Sequence, residues 1–186
     1  MDKSEFERLF DEMIRDRRED MRYRYKRVLP SGEIIYNRFD KSKDLGFGEG
    51  SSVYDTSVIM GDIKVGSHVW IGPYTLIEGI TEDVEIGDYV TLDAGVMIYT
   101  HDSTKYYVSG GINPFESGSV KIGSYTVIGT MSIISYGVTI GSHCVVAANS
   151  FVNTDIADNT IVAGNPARVI GRVIVKDNGE VEFEYD

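Results

Sequence analysis

The stretch VKIGSYTVIGTMSIISYGVTIGSHCVVAANSFV, residues 120–152, decides the fold. Aliphatic residues stand at Ile122, Ile128, Ile134, Ile140, Val146 and Val152, one every six positions. Six matches neither the 3.6-residue period of a helix nor the two-residue alternation of a strand. It is the period of a solenoid whose coils are triangular, three six-residue sides to a turn. The aliphatic residue of each hexad then points into the prism. The fifth position, here Thr126, Ser132, Val138, Cys144 and Ser150, also faces inward or lines a corner.

The same spacing extends toward the N-terminus. It runs through Val53, Ile59, Val65, Ile71 and Ile77, slips by three residues, and resumes at Ile86, Leu92 and Ile98. Glycine follows the aliphatic residue at 66, 72, 87, 123, 129 and 141, which suggests a turn of positive φ at each. The pattern breaks at Tyr99-Thr100-His101-Asp102 and gives way to a polar segment rich in tyrosine and glycine, an extruded loop over about residues 102–119.

A solenoid buries its interior only by stacking, so both ends need caps. Residues 3–27 read as an amphipathic helix with a stripe of Phe6, Leu9, Phe10, Met13 and Ile14. RVLPSGEIIYNRF, residues 27–39, reads as a short hairpin about Pro-Ser-Gly. At the other end Asn178-Gly179 marks a second hairpin. The expected organisation is an N-terminal helix and hairpin cap over 1–47, the solenoid over 48–172, and a hairpin tail over 173–186. The fold class is all-β, a parallel β-helix of hexapeptide repeats.

The chain of 186 residues carries 29 acidic and 18 basic side chains, a net charge of -11. That charge argues against a general nucleic-acid binder, which needs clustered cations to displace counterions. No apolar run approaches the roughly 20 residues of a membrane span, and the charged N-terminus lacks a signal-peptide core. Cys144 is the single cysteine and sits at an inward position. A cytoplasmic protein without membrane insertion is expected.

The hexads, the THD with its extruded segment and the closing AGNPARVIG resemble the hexapeptide-repeat acyltransferases, and among them the sugar and polysaccharide O-acetyltransferase branch, over about residues 50–172. The resemblance implies a left-handed β-helix, an exception to the usual crossover hand. It implies a homotrimer with active sites between adjacent prisms, acetyl-CoA as co-substrate, and a sugar or nucleotide-sugar acceptor. His101 aligns with the catalytic base at the root of the loop. Imidazole titrates near neutrality and suits removal of an acceptor proton. His68 and His143 lie about two coils away, read as surface residues, and leave no three-histidine metal site; no metal is expected.

One 18-residue coil back from His101 falls Asp83, which could orient the imidazole or hold a sugar hydroxyl. Glu78, Asp93 and Glu116 are weaker candidates of the same kind. Tyr106, Tyr107 and Phe115 could stack on the acceptor or pack the loop against a neighbouring subunit. The resemblance assigns coenzyme A contacts to Thr130, Ala148, Asn153, Thr154 and Arg168. Arg168 could instead secure the end cap. Gly72 stands near where the sugar branch holds its acceptor with an asparagine, which argues against a simple maltose or galactoside. Two other functions fit the same pattern: N-acetylation of a nucleotide-linked amino sugar, and a silent β-helix serving as a scaffold.

Overall fold

A computed structural model describes residues 1–186. Its body is a parallel β-helix of about six turns. Strands 52–53, 70–71, 91–92, 127–128, 145–146 and 160–163 stack into the first face. Strands 58–61, 76–79, 97–98, 133–134 and 151–152 form the second, and 64–65, 84–86, 120–122 and 139–140 the third. The register follows the hexads: Ile71 pairs with Leu92, and Ile128 with Val146.

The reason is burial. Ile77, Leu92, Ile98, Ile128 and Ile134 are fully buried within one cluster of 24 residues. Each such side chain contributes about 1.5–3 kcal/mol. The inward hydroxyls are satisfied by backbone, as in Ser57 to Gly72 O (2.7 Å) and Thr126 to Gly141 O (3.0 Å). Burial pushes the Cys144 thiol upward.

The glycines after the aliphatic residues serve a purpose other than the expected one. None of the six has positive φ. They permit close stacking: a Cβ on Gly123 would stand 2.6 Å from the Gly141 carbonyl carbon. The left-handed conformation falls two residues later, at the fourth hexad position, and is taken by non-glycine residues. At one edge these are His68, Tyr89, Tyr125 and His143 (φ 54–61°). Their rings stack in a continuous column between the third and first faces, with centroids 4.5, 5.5 and 4.7 Å apart.

The outer surfaces of the faces differ. The third carries an ion-pair ladder, Glu85 between Lys64 (3.1 Å) and Lys121 (3.4 Å). The second presents an apolar row in register, Val58, Leu76, Met97, Ile133 and Phe151.

Helix α1 spans Lys3–Arg24 and buries none of its residues. The hairpin expected over 27–39 is absent. Pro30 precedes a one-turn helix α2 (Ser31–Ile35), and Asn37 opens α3 (Arg38–Asp44) by accepting from Phe39 N at 2.8 Å. Arg17 of α1 donates to the carbonyls of Ile34 (2.9 Å) and Ile35 (3.0 Å) at the end of α2. These contacts satisfy backbone groups that the helix ends would otherwise leave unpaired. At the far end a hairpin of Arg168–Val175 and Val181–Tyr185 turns at Asn178-Gly179, where Gly179 has φ 82°. Its first strand adds to the first face and begins before residue 173.

Candidate active site

The chain leaves the solenoid at the edge between the second and third faces. His101-Asp102 pairs antiparallel with Glu116-Ser117, closing the stem of the extruded loop. A short helix α4 (Thr104–Val108) lies inside it, and Lys105 braces the stem through Glu116 at 2.7 Å.

His101 Nδ1 lies 3.0 Å from Glu78 Oε2. Glu78 is only 4% exposed and is surrounded by donors. Its Oε2 also accepts from Thr100 N (3.0 Å) and Thr100 Oγ1 (2.7 Å). Its Oε1 accepts from Ile80 N (2.9 Å) and Thr81 N (3.3 Å). Burial raises its pKa, but the Thr100 hydrogen bonds, then those from His101 and Ile80, outweigh burial and hold it at about 2. The carboxylate is therefore ionised near neutrality. An ionised acceptor on Nδ1 fixes the Nδ1–H tautomer and leaves the Nε2 lone pair outward. This is the arrangement of a general base oriented by a carboxylate.

Asp83 does not take that role. The three-residue slip falls between Ile77 and Ile86, so the coil is longer than eighteen residues. With Ile77 paired to Ile98, the position one coil back from His101 is Ile80. Asp83 lies past the slip at the third face, where its carbonyl accepts from Val120 N at 3.0 Å and its charge reaches Lys64. Glu78, the weaker candidate, stands at the imidazole because its strand extends to Gly79. Asp93 lies half-buried at the edge between the first and second faces, away from His101.

The loop aromatics pack on one another and on the histidine. Phe115 stacks on the His101 ring, Tyr106 meets Phe115 edge-on (5.0 Å), and Tyr107 meets Tyr106 likewise (5.3 Å). Tyr107 remains 72% exposed. Sequence reading passed over Thr100, Thr81 and Tyr136. Thr81 Oγ1 is 3.5 Å from His101 Nδ1. Tyr136 lies beside the stem, and burial together with the Glu116 carboxylate pushes its phenol up. The 22-residue spacing of Glu78 and Thr100 could be found only with the slip already placed.

The remaining candidates divide between edges. Asn153 and Thr154 are exposed on the edge that carries His101, two coils further along. Thr130 and Ala148 are exposed on the edge between the first and second faces. Arg168 opens the C-terminal hairpin, where its Nη1 donates to Ala167 O at 2.7 Å. His68 and His143 belong to the stacked column on the third edge, remote from His101.

Comparison with known proteins agrees with the fold. Residues 119–154 match the family model described as bacterial transferase hexapeptide, six repeats. WbbJ of Escherichia coli K12, named for O-acetyl transfer in lipopolysaccharide biosynthesis, is 33% identical over 73% of this chain and 74% of its own. The galactoside O-acetyltransferase of the same organism is 31% identical over 60% of this chain; the match spans 58% of that relative's length. A hexapeptide-repeat acetyltransferase of Vibrio cholerae superposes with TM-score 0.66 at 27% identity, covering 86% of this chain and 92% of that one. AntD, an N-acyltransferase of Bacillus cereus solved with dTDP and 3-hydroxybutyryl-CoA, shares the fold at TM-score 0.60 and 22% identity, over 73% of this chain and 89% of its own.

Proposed function

The chain belongs to the hexapeptide-repeat transferase family, and from that premise we propose that it transfers acetyl from acetyl-CoA to a hydroxyl of a sugar in surface-polysaccharide or lipopolysaccharide assembly. The observation that carries the reading is the Glu78–His101 pair, Oε2 and Nδ1 3.0 Å apart. His101 takes the acceptor hydroxyl proton through Nε2 as the oxygen attacks the thioester carbonyl. Glu78 stabilises the imidazolium that forms. The proton then passes to the departing thiolate of coenzyme A. A base so placed contributes roughly 10²- to 10⁴-fold. A silent scaffold has no use for such a buried, hydrogen-bonded carboxylate behind a histidine.

The active assembly is a homotrimer in the cytoplasm. Two features support the trimer. The apolar row on the second face is half-exposed in one chain, with Val58 at 49% and Ile133 at 37%. The coenzyme A candidates also stand on two different edges, Thr130 and Ala148 on one, Asn153 and Thr154 on the other. A cleft between two copies brings one edge from each to a single cofactor. Arg168 pairs there with a coenzyme A phosphate, and Tyr106 and Tyr107 line the acceptor side.

Thiol release from acetyl-CoA, measured with pooled sugars and with nucleotide-linked amino sugars, tests the reading. Release with the sugar pool that falls at least about 100-fold in His101→Ala is expected. Activity confined to the amino-sugar pool moves the reaction to N-acetylation. Release indifferent to His101→Ala removes the proposed base.

A further inference from the structure

Two adjoining cavities, of about 520 and 300 Å³, lie between the C-terminal half of α1 and the α2–α3 turn. They share Asp20, Met21, Glu33 and Asn37 in their walls. Glu33 is only 5% exposed. Both hydrogen bonds it accepts end on Oε1, from Thr56 N (3.0 Å) and Thr56 Oγ1 (3.1 Å). Oε2 accepts none. No fully enclosed polar side-chain atom in the molecule lacks a partner, so Oε2 opens onto the cavity. The free oxygen of this largely buried carboxylate is open to a cationic donor from the cavity side.

No base pairs with it: Arg27, on the wall of the second cavity, makes no ion pair with Glu33. Arg17 is engaged by the carbonyls of Ile34 and Ile35. Arg38 donates to Tyr54 Oη (3.1 Å) and lies over the Phe39 ring. Lys41 donates to the carbonyls of Tyr54, Asp55 and Ser57. Asp20, Glu33 and Asp40, all on the cavity walls, take part in no ion pair. These carboxylates are too dispersed to converge on a metal ion. Between them run the apolar surfaces of Met21, Ile34 and Ile35.

We propose that this cleft binds an aliphatic polyamine, with one ammonium on Glu33 Oε2, further ammonium groups near Asp20 and Asp40, and the methylene chain along Met21, Ile34 and Ile35. Spread charges linked by an apolar chain match the spread carboxylates and the apolar floor. The site lies beside the first coil, through Thr56, on a different edge from His101. It is independent of acetyl transfer.

Titration calorimetry of the full chain with spermidine tests the site, at about 0.3 M salt so that diffuse attraction to the acidic surface is screened. Saturable binding at one site per chain is expected, with an uncharged α,ω-diol of similar length giving none. Glu33→Gln keeps an oxygen for Thr56 and removes only the charge on the cavity side. It should weaken spermidine roughly 10- to 100-fold, the range of a charge-assisted hydrogen bond, with unchanged thermal unfolding in the absence of ligand. Asp20→Asn, an exposed change, should weaken it less, and Glu180→Gln on the distant hairpin should leave it unaltered. Absence of saturable binding, equal binding of the diol, or equal weakening by Glu180→Gln overturns the proposal.

Discussion

The ring of Phe115 lies parallel to the imidazole of His101, centroids 5.8 Å and planes 9° apart. Phe115 immediately precedes the Glu116-Ser117 strand of the loop stem, so the stem that lifts the loop away also returns an aromatic ring to the histidine. Glu78 fixes one ring nitrogen, and Phe115 fixes the plane. Together they determine where Nε2 points.

Removing the stack should therefore slow the chemical step. An aromatic pair is worth about 0.5–1.5 kcal/mol, so Phe115→Ala should lower kcat by roughly 2- to 10-fold. The KM for acetyl-CoA should hold, and Phe115→Tyr should restore the rate. Steady-state thiol release measures all three.

Glu78 makes a pH prediction with a definite sign. Its folded pKa of about 2 lies below the ordinary value of 4.5. A depressed carboxylate stabilises the fold above its unfolded pKa, and that stabilisation disappears as pH falls through the folded value. The contribution is on the order of 3 kcal/mol at neutral pH. Urea unfolding of wild type and Glu78→Gln should differ most above pH 4.5, and the difference should close toward pH 2.

The coil stacking predicts a steric cost at Gly123. A Cβ there meets backbone of the next coil, which cannot move aside as a side chain would. Gly123→Ala should destabilise by about 1–3 kcal/mol. Ile128→Ala, which empties a fully buried position, should cost about 2–5 kcal/mol. Chemical denaturation reads both.

On the second face, Ile133→Glu should dissociate the proposed trimer. The side chain points outward, so the monomer's own core is untouched. Analytical ultracentrifugation should show one-third of the wild-type mass, with little loss of strand signal by circular dichroism.

The solenoid was legible because one residue in six has to be aliphatic for a triangular coil to bury anything. That demand writes a period no other structure writes, and His101 stood out where it ended. The carboxylate behind His101 was not legible in the same way. Counting coils assumes equal coils, and the slip between Ile77 and Ile86 moves the partner from Asp83 to Glu78. The helices over 31–35 and 38–44 were missed for a different reason. Ile34 and Ile35 favour a strand locally, and what overrides them is Arg17, seventeen and eighteen residues earlier, capping their carbonyls. No local pattern reports a contact of that range. Glycine answers two needs, positive φ and close approach, and only the folded chain separates them.

The two-pair stem at His101-Asp102 and Glu116-Ser117 returns the chain to a register that ignores what the loop contains: Val120 pairs with Val84, and Ile134 with Ile98, as though nothing intervened. The insert is a cassette. Doubling its length adds only about 0.6 kcal/mol of closure entropy, and none of its residues enters the core cluster. Selection can rewrite the surface above His101 from end to end without renegotiating the fold beneath it.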